Sequence, residues 1–266
     1  TILDPAPGRL RAGAPARIGL PDCRMKGFPM LSRLVLPLLL LAPPGLAGTF
    51  TPPESCTATL TVQGRGCFVS NYYTCTKDAP GDQWRADFDQ EGMFYLSRID
   101  SETQWVESYD LNPKVKQLLD PNPADPASFS TLLATGRDDF DFSLTKENGE
   151  HTNVKGYDSL TGETVIIDGV TLKRTYYEYV ETDDAGNVLR QSHGNEYISE
   201  EWRNFYSGTS EWFDGTDWLP LDGSPVQFFL PGEKGFGATQ PLYECDAVMS
   251  EAVPPAPLLL PATYRP

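Results

Sequence analysis

Basic charge, histidine and long apolar runs are all scarce in this 266-residue chain, and each shortage removes a class of function. Lys and Arg number 21 against 37 Asp and Glu, a formal charge of −16. That balance repels phosphate backbones and anionic lipid surfaces, so no nucleic-acid partner is expected. The two histidines are His151, in the polar stretch NGEHTN, and His193, between Ser192 and Gly194. Neither stands beside a GxSxG nucleophile turn, which the chain also lacks, so no catalytic residue is assigned. There is no CxxC spacing and both histidines are remote from the cysteines, which argues against a metal site. The stretch Gly235-Phe236-Gly237-Ala238-Thr239-Gln240 begins like a dinucleotide fingerprint, but it lacks the last glycine and runs into Pro241. It reads as a turn, and no cofactor is expected. A calcium loop around Gly186 fails at Ala185 and Ser192, which would have to be ligands.

The most apolar run, Leu34 to Ala42, is interrupted by Pro37 and closed by Pro43 and Pro44. A membrane-spanning helix needs about 20 apolar residues, so this one is too short. Lys26 and Arg33 precede or open it, and Gly45-Leu46-Ala47 follows, the order of a secretory signal peptide over 25–47 with Met25 or Met30 as its start. Residues 1–24 read as a non-native upstream extension. Thr49 occupies the position where a lipidated cysteine would stand, so the cut chain is expected to leave the membrane without an anchor. Without residues 1–47, which carry six basic and two acidic groups, 15 basic face 35 acidic residues, a charge of −20.

Removing Cys23 with that leader makes the cysteine count even: Cys56, Cys67, Cys75 and Cys245. In an exported protein four cysteines suggest two disulfides. CTATLTVQGRGCFVSNYYTC reads as a hairpin; a loop of Arg65-Gly66 would set Cys56 opposite Cys75, whereas a Gly64-Arg65 loop would set Cys56 opposite Tyr73. The expected pairs are Cys56 with Cys75 and Cys67 with Cys245, the register staying open.

Short Thr-, Val-, Tyr-, Phe- and Trp-rich segments separated by Gly, Asp and Asn turns predict strands near 56–63, 67–76, 83–89, 93–99, 103–109, 138–145, 163–167, 170–181, 188–198 and 202–213. DPASFSTLLATG predicts a helix, with Asp125 as cap, Phe129, Leu132 and Leu133 on one face and Gly136 at its end. NPKVKQLL, 112–119, fits a short helix or a strand. The fold class is mainly β: a single curved antiparallel sheet, half-barrel-like, with one or two short helices covering a face. One domain spans 50–250, followed by a proline-rich tail, 251–266. In Arg137-Asp138-Asp139-Phe140-Asp141-Phe142 the aspartates face one way and the phenylalanines the other. Aromatics on a sheet wrapped around an interior are candidates to line a ligand site, and Phe94, Trp105, Tyr176 and Trp202 are chosen on that ground. Glu200-Glu201 and Asp214 with Asp217 are the carboxylate clusters that a glycan hydrolase would need.

The segments RADFDQEGMFYLSRID, PADPASFSTLLATGRDDFDF and GETVIIDGVTLKRTYYEYVETDDAGNVLRQSHGNEYISEEW resemble exported Gram-negative proteins with a LolA-like half-barrel. The resemblance spans roughly 85–215 and includes a DGV turn followed by D-x-x-G-x-V. It implies a curved sheet with a helix filling its open side, and binding of lipoprotein acyl chains or other apolar ligands; it carries over no ligand residue. The expectation is therefore a non-enzymatic periplasmic or secreted protein that holds an apolar small molecule, a lipid or an envelope protein on a concave sheet. The alternatives are a secreted glycan hydrolase and an envelope interaction domain without a small ligand.

Overall fold

The computed structural model describes residues 48–245. The expected signal segment over 25–47, the expected upstream extension over 1–24 and the proline-rich tail over 251–266 lie outside the described residues. Thirteen strands and one helix occur among those described: β1 (Cys56–Gly64), β2 (Phe68–Cys75), β3 (Gln83–Phe88), β4 (Met93–Ile99), β5 (Trp105–Leu111), β6 (Lys114–Leu119), α1 (Phe129–Thr135), β7 (Arg137–Lys146), β8 (His151–Ile167), β9 (Val170–Asp183), β10 (Val188–Ser199), β11 (Asn204–Phe213), β12 (Trp218–Asp222) and β13 (Pro225–Phe229). They build one antiparallel sheet in which β1 to β12 follow chain order and β13 returns to pair with β1. Short hairpin connections make each strand the neighbour of the next, so the order follows from the turns.

The sheet curves and overlaps itself without closing. Pairing places one continuous concave face through Tyr72, Arg85, Ser97 and Ser108 on β2 to β5. The same face continues through Phe142, Val154 and Tyr179 to Ile198 and Phe205 on β7 to β11. Phe129 and Leu132 of α1 are buried against Ile198 and Phe205 on this face. Tyr206, one residue on, points to the other side of β11 and packs on Tyr72 at 5.8 Å and Phe228 at 5.3 Å between ring centroids. The concave face of β2 and β13 thus covers the convex face of β11, and β11 is packed on both sides. This explains why both faces of TLKRTYYEYV are partly apolar: Tyr177 and Tyr179 join the cluster around Phe140, while Leu172 joins Tyr206.

Several details differ from expectation for identifiable reasons. The helix is capped by Ser128, whose hydroxyl accepts from the Thr131 N–H, and it ends at Gly136 in the left-handed region, φ 83°. Asp125 instead bridges to Asp141 through the backbone. Residues 114–119 are strand, because Leu111 pairs with Lys114 across an Asn112-Pro113 turn. β8 starts at His151, twelve residues before the predicted 163–167 segment, and β12 and β13 went unforeseen. Asp138 faces the same way as Phe140 and is 5 % exposed, so the aspartates of β7 do not share a side.

Both expected disulfides are present, Cys56–Cys75 and Cys67–Cys245. The hairpin reaches this register differently: the loop has three residues, with Gly64 opposite Phe68, and a bulge between Ala58 and Leu60 shifts the ladder by one to bring Cys56 opposite Cys75. Two structural disulfides assign the folded chain to an oxidising compartment outside the cytoplasm. No helix among the described residues is long and apolar enough to cross a membrane.

After β13 the chain forms a strap over the convex face of β1 and β2. Thr61, Gln63 and Asn71, which project there, are completely buried beneath it. The strap ends at the Cys67–Cys245 bond.

Candidate functional site

The concave side is the place to look for a ligand, and it is largely occupied. Phe140, Phe142, Leu144, Val154, Tyr177 and Tyr179 form a packed cluster, with Trp105 against it. Next to that cluster the face turns polar. Ser70 donates to Asp87 at 2.6 Å, the Arg85 Nε lies 3.0 Å from Asp87, and the Arg85 guanidinium stands 5.5 Å from the centre of the Tyr95 ring. Burial holds the Tyr95 hydroxyl well above the ordinary tyrosine range, against the opposing pull of Arg85. Buried charges of this kind persist only when paired. They also make a poor lining for an acyl chain, which gains nothing from fixed ions.

Beside this polar seam lies a cleft of about 40 Å³, bordered by Gln83, Arg85, Ser97, Trp105, Asn204 and Phe205. At about 10–15 Å³ per water, it has room for about three waters. The Trp105 Nε1 is a buried donor without a protein acceptor, a group that water in such a cleft satisfies. Gln83 is fully engaged, donating to the Trp202 and Arg203 carbonyls and accepting from Asn204.

Of the four residues chosen as a ligand lining, only Trp105 borders this cleft. Phe94 sits at a bulge in β4, between the Asp87–Tyr95 and Phe88–Met93 pairs. Tyr176 is on the convex face against Tyr157, and Trp202 packs on Tyr206 and Phe228 where the sheet overlaps itself. The structure does not bring these four together, because they were selected by side-chain type and the curvature assigns them to different faces. The carboxylate clusters are also apart. Glu200, which pairs with Lys173, and Glu201 are at one end of β11. Asp214 is at the other end, accepting from the Thr216 and Asp217 N–H groups in the β11–β12 turn. Ten strand residues put about 30 Å between them, too far to flank one glycosidic bond.

Two titratable arrangements escaped the sequence reading. Asp138 and Asp158 are directly opposite on β7 and β8, 5 % and 2 % exposed. Burial, then the Asp158 charge, push the Asp138 carboxyl up to about 6, although it accepts a 2.7 Å hydrogen bond from the Ser128 N–H. His151 is held on both ring nitrogens, by Asp184 at 2.5 Å and Asp120 at 3.0 Å, and Asp184 chiefly raises its pKa. His193 meets Glu211 at 3.2 Å and the Trp218 ring at 4.4 Å. Among the described residues no group of three or more His, Cys, Asp or Glu is arranged to hold a metal ion. Strict alternation from Phe140 would have identified Asp138; nothing local announces the His151 contacts, which join the β6–α1 connection to the β9–β10 turn.

Comparison with protein-family models, with curated proteins and with solved structures finds no match to this chain.

Proposed function

We propose that this protein is a non-enzymatic periplasmic or secreted domain that works by engaging another envelope protein through its sheet surfaces. The observation that carries the reading is the state of the concave side: an aromatic cluster, an ionic seam and α1 occupy much of it, and the cleft beside the seam has about 40 Å³. A lipid chain needs several hundred Å³ of apolar pocket, typically about 300 Å³ or more for a small-molecule site. This cleft is therefore too small for an acyl chain as it stands. Kinship with the LolA-like exported proteins is part of the proposal, supported by the curved sheet with a helix on its concave side. Export is supported by the signal-like 25–47 segment and by the two disulfides.

The test has two readouts. Cell fractionation is expected to recover the chain from the periplasm or medium, cut near Ala47; retention of the uncut chain in the cytoplasm would overturn the export reading. Titration of the purified protein with an environment-sensitive apolar dye is expected to give no saturable binding; a saturable site, with lipid in an organic extract of the native protein, would replace the protein-partner reading by a carrier.

A further inference from the structure

The strap over β1 and β2 is held by side chains that bind its main chain, and the geometry points to a peptide-binding cradle on this face: it takes a Gly-x-Gly-Ala turn and the residues that follow it, is occupied in cis by residues 235–242, and is latched by Cys67–Cys245. The side chains of the cradle read backbone. The Gly237 N–H donates to the Thr61 hydroxyl at 2.8 Å, and that hydroxyl donates to the Asn71 Oδ1 at 2.7 Å. The Asn71 Nδ2 donates to the Ala238 carbonyl at 2.8 Å, the Gln63 Nε2 to the Gln240 carbonyl at 3.0 Å, and the Leu242 N–H to the Gln63 Oε1 at 3.0 Å. Three polar side chains at 0 % exposure are thus satisfied by main-chain groups of the strap. When the strap lifts, water takes these positions, and an equivalent main-chain segment can replace that water with the same set of hydrogen bonds.

Apolar anchoring is slight. Gly237 and Pro241 are the strap's buried residues, Phe236 and Ala238 are half-buried, and Leu242 is 63 % exposed. The glycines supply the shape. Gly237 has φ 75° and a Cβ there would meet the Thr49 side chain at 3.0 Å; Gly235 has φ 114° and lies under the Phe229 ring, where a Cβ would come within 2.7 Å. This accounts for the fingerprint-like GFGA run: its glycines permit a close backbone approach to the protein's own sheet.

The two disulfides differ in what they control. Cys56–Cys75 joins residues of an already paired ladder, with Thr57 opposite Thr74 beside it. Cys67–Cys245 spans 178 residues and is the covalent tie at the far end of a segment otherwise held by hydrogen bonds, among them the Phe50 N–H to the Gly237 carbonyl at 2.7 Å and the Cys67 N–H to the Tyr243 carbonyl at 3.0 Å, and by the Arg65–Glu244 ion pair. A dithiol reductant opens it by thiol–disulfide exchange. One reductant thiolate attacks a cystine sulfur, the second thiol resolves the mixed disulfide, and two electrons and two protons leave Cys67 and Cys245 as thiols and the reductant as a disulfide. The strap is then covalently fixed at β13 alone and held elsewhere by its hydrogen bonds and the Arg65–Glu244 ion pair, so its release no longer requires a bond to break and a partner segment of the same chemistry can compete for the cradle. This rests on the protein-partner reading only for the partner; the latch is tested by itself.

Hydrogen exchange of the full mature chain, with and without a dithiol reductant, is expected to show the 236–243 amides exchanging at least about tenfold faster on reduction while β1 to β5 hold. Equal rates overturn the latch. A second measurement uses the chain carrying Cys67→Ser, Cys245→Ser and Gly237→Val, which empties the cradle, with a labelled peptide of residues 232–244. Saturable binding to this variant, at least about tenfold weaker to the oxidised wild-type chain, and absent for the peptide carrying Gly237→Val, supports the cradle. Absence of binding to the folded variant, or equal binding by the Gly237→Val peptide, overturns it. If the variant does not fold, as read by circular dichroism, the same titration against the reduced wild-type chain decides with the same outcomes. Dye binding or a cytoplasmic location would sink the general reading and leave both of these results standing.

Discussion

Asp138 shows how one carboxyl couples the concave face to pH. Its pKa is 3.8 in an open chain and about 6 in the fold, so the folded state keeps its proton longer. Stability at this group is full below pH 4, falls as the pH rises from about 4 to 6, and is flat above, with a loss of at most about 3 kcal/mol. Asp138→Asn keeps an acceptor for the Ser128 N–H and removes the repulsion from Asp158, so urea denaturation at pH 7.5 is expected to show the variant more stable by about 1–3 kcal/mol. A variant no more stable than wild type at pH 7.5 would contradict the burial of this charge. His151 acts in a neighbouring window: its raised pKa adds stability below 6.5 that is lost as the pH rises through the folded value. Partial exposure keeps that contribution small. Gly156 is the second telling residue. A Cβ there would meet the Glu178 carbonyl at 2.3 Å, with the Phe140 ring at 2.8 Å. Gly156→Ala is expected to cost about 1–3 kcal/mol by the same denaturation assay, since backbone must move to admit one methyl group.

Among the elements, α1 occupies the position that decides between a filled and an open interior. Phe129 and Leu132 are each 1 % exposed, and Phe129 stacks edge-on against Phe205 at 5.7 Å. Phe129→Ala is expected to destabilise by about 3–5 kcal/mol and to create a cavity that an apolar dye can enter. Loss of stability with no gain in dye binding would show that the sheet collapses into the vacated space. The legibility of the elements in the sequence follows the same physics. Hairpins with clean turns, β1 to β5 and β9 to β11, were readable because their apolar residues alternate. The first part of β8 was not, since HTNVKGYDSL is polar and its Gly156 reads as a breaker, although that glycine is there to make room for Phe140 and Tyr179. β12 and β13 were hidden by Pro220 and Pro225. Proline is tolerated on the outermost strand and at a strand's first residue, which are the positions they hold. The candidate lining of Phe94, Trp105, Tyr176 and Trp202 shows the limit: residue type announces an aromatic, but the face it joins depends on bulges and on the overlap of β2 and β13 with β11.

At the scale of the whole molecule, the open sheet is secured by overlap, by the ionic seam across its concavity and by two bonds of unequal reach. Replacing both Cys67 and Cys245 with Ser is expected to lower stability by about 2–5 kcal/mol, as long-range disulfides do. Replacing Cys56 and Cys75 should cost less, because the ladder around them persists; thermal denaturation of the two variants side by side checks the order. The exported, partner-binding role proposed above needs a chain that is complete without a guest. Native mass spectrometry of the oxidised mature protein, purified without detergent, tests that most directly. The mass of the polypeptide with four cysteine hydrogens removed and no adduct is the expected result; a lipid or other apolar molecule that stays bound at stoichiometric occupancy would contradict it.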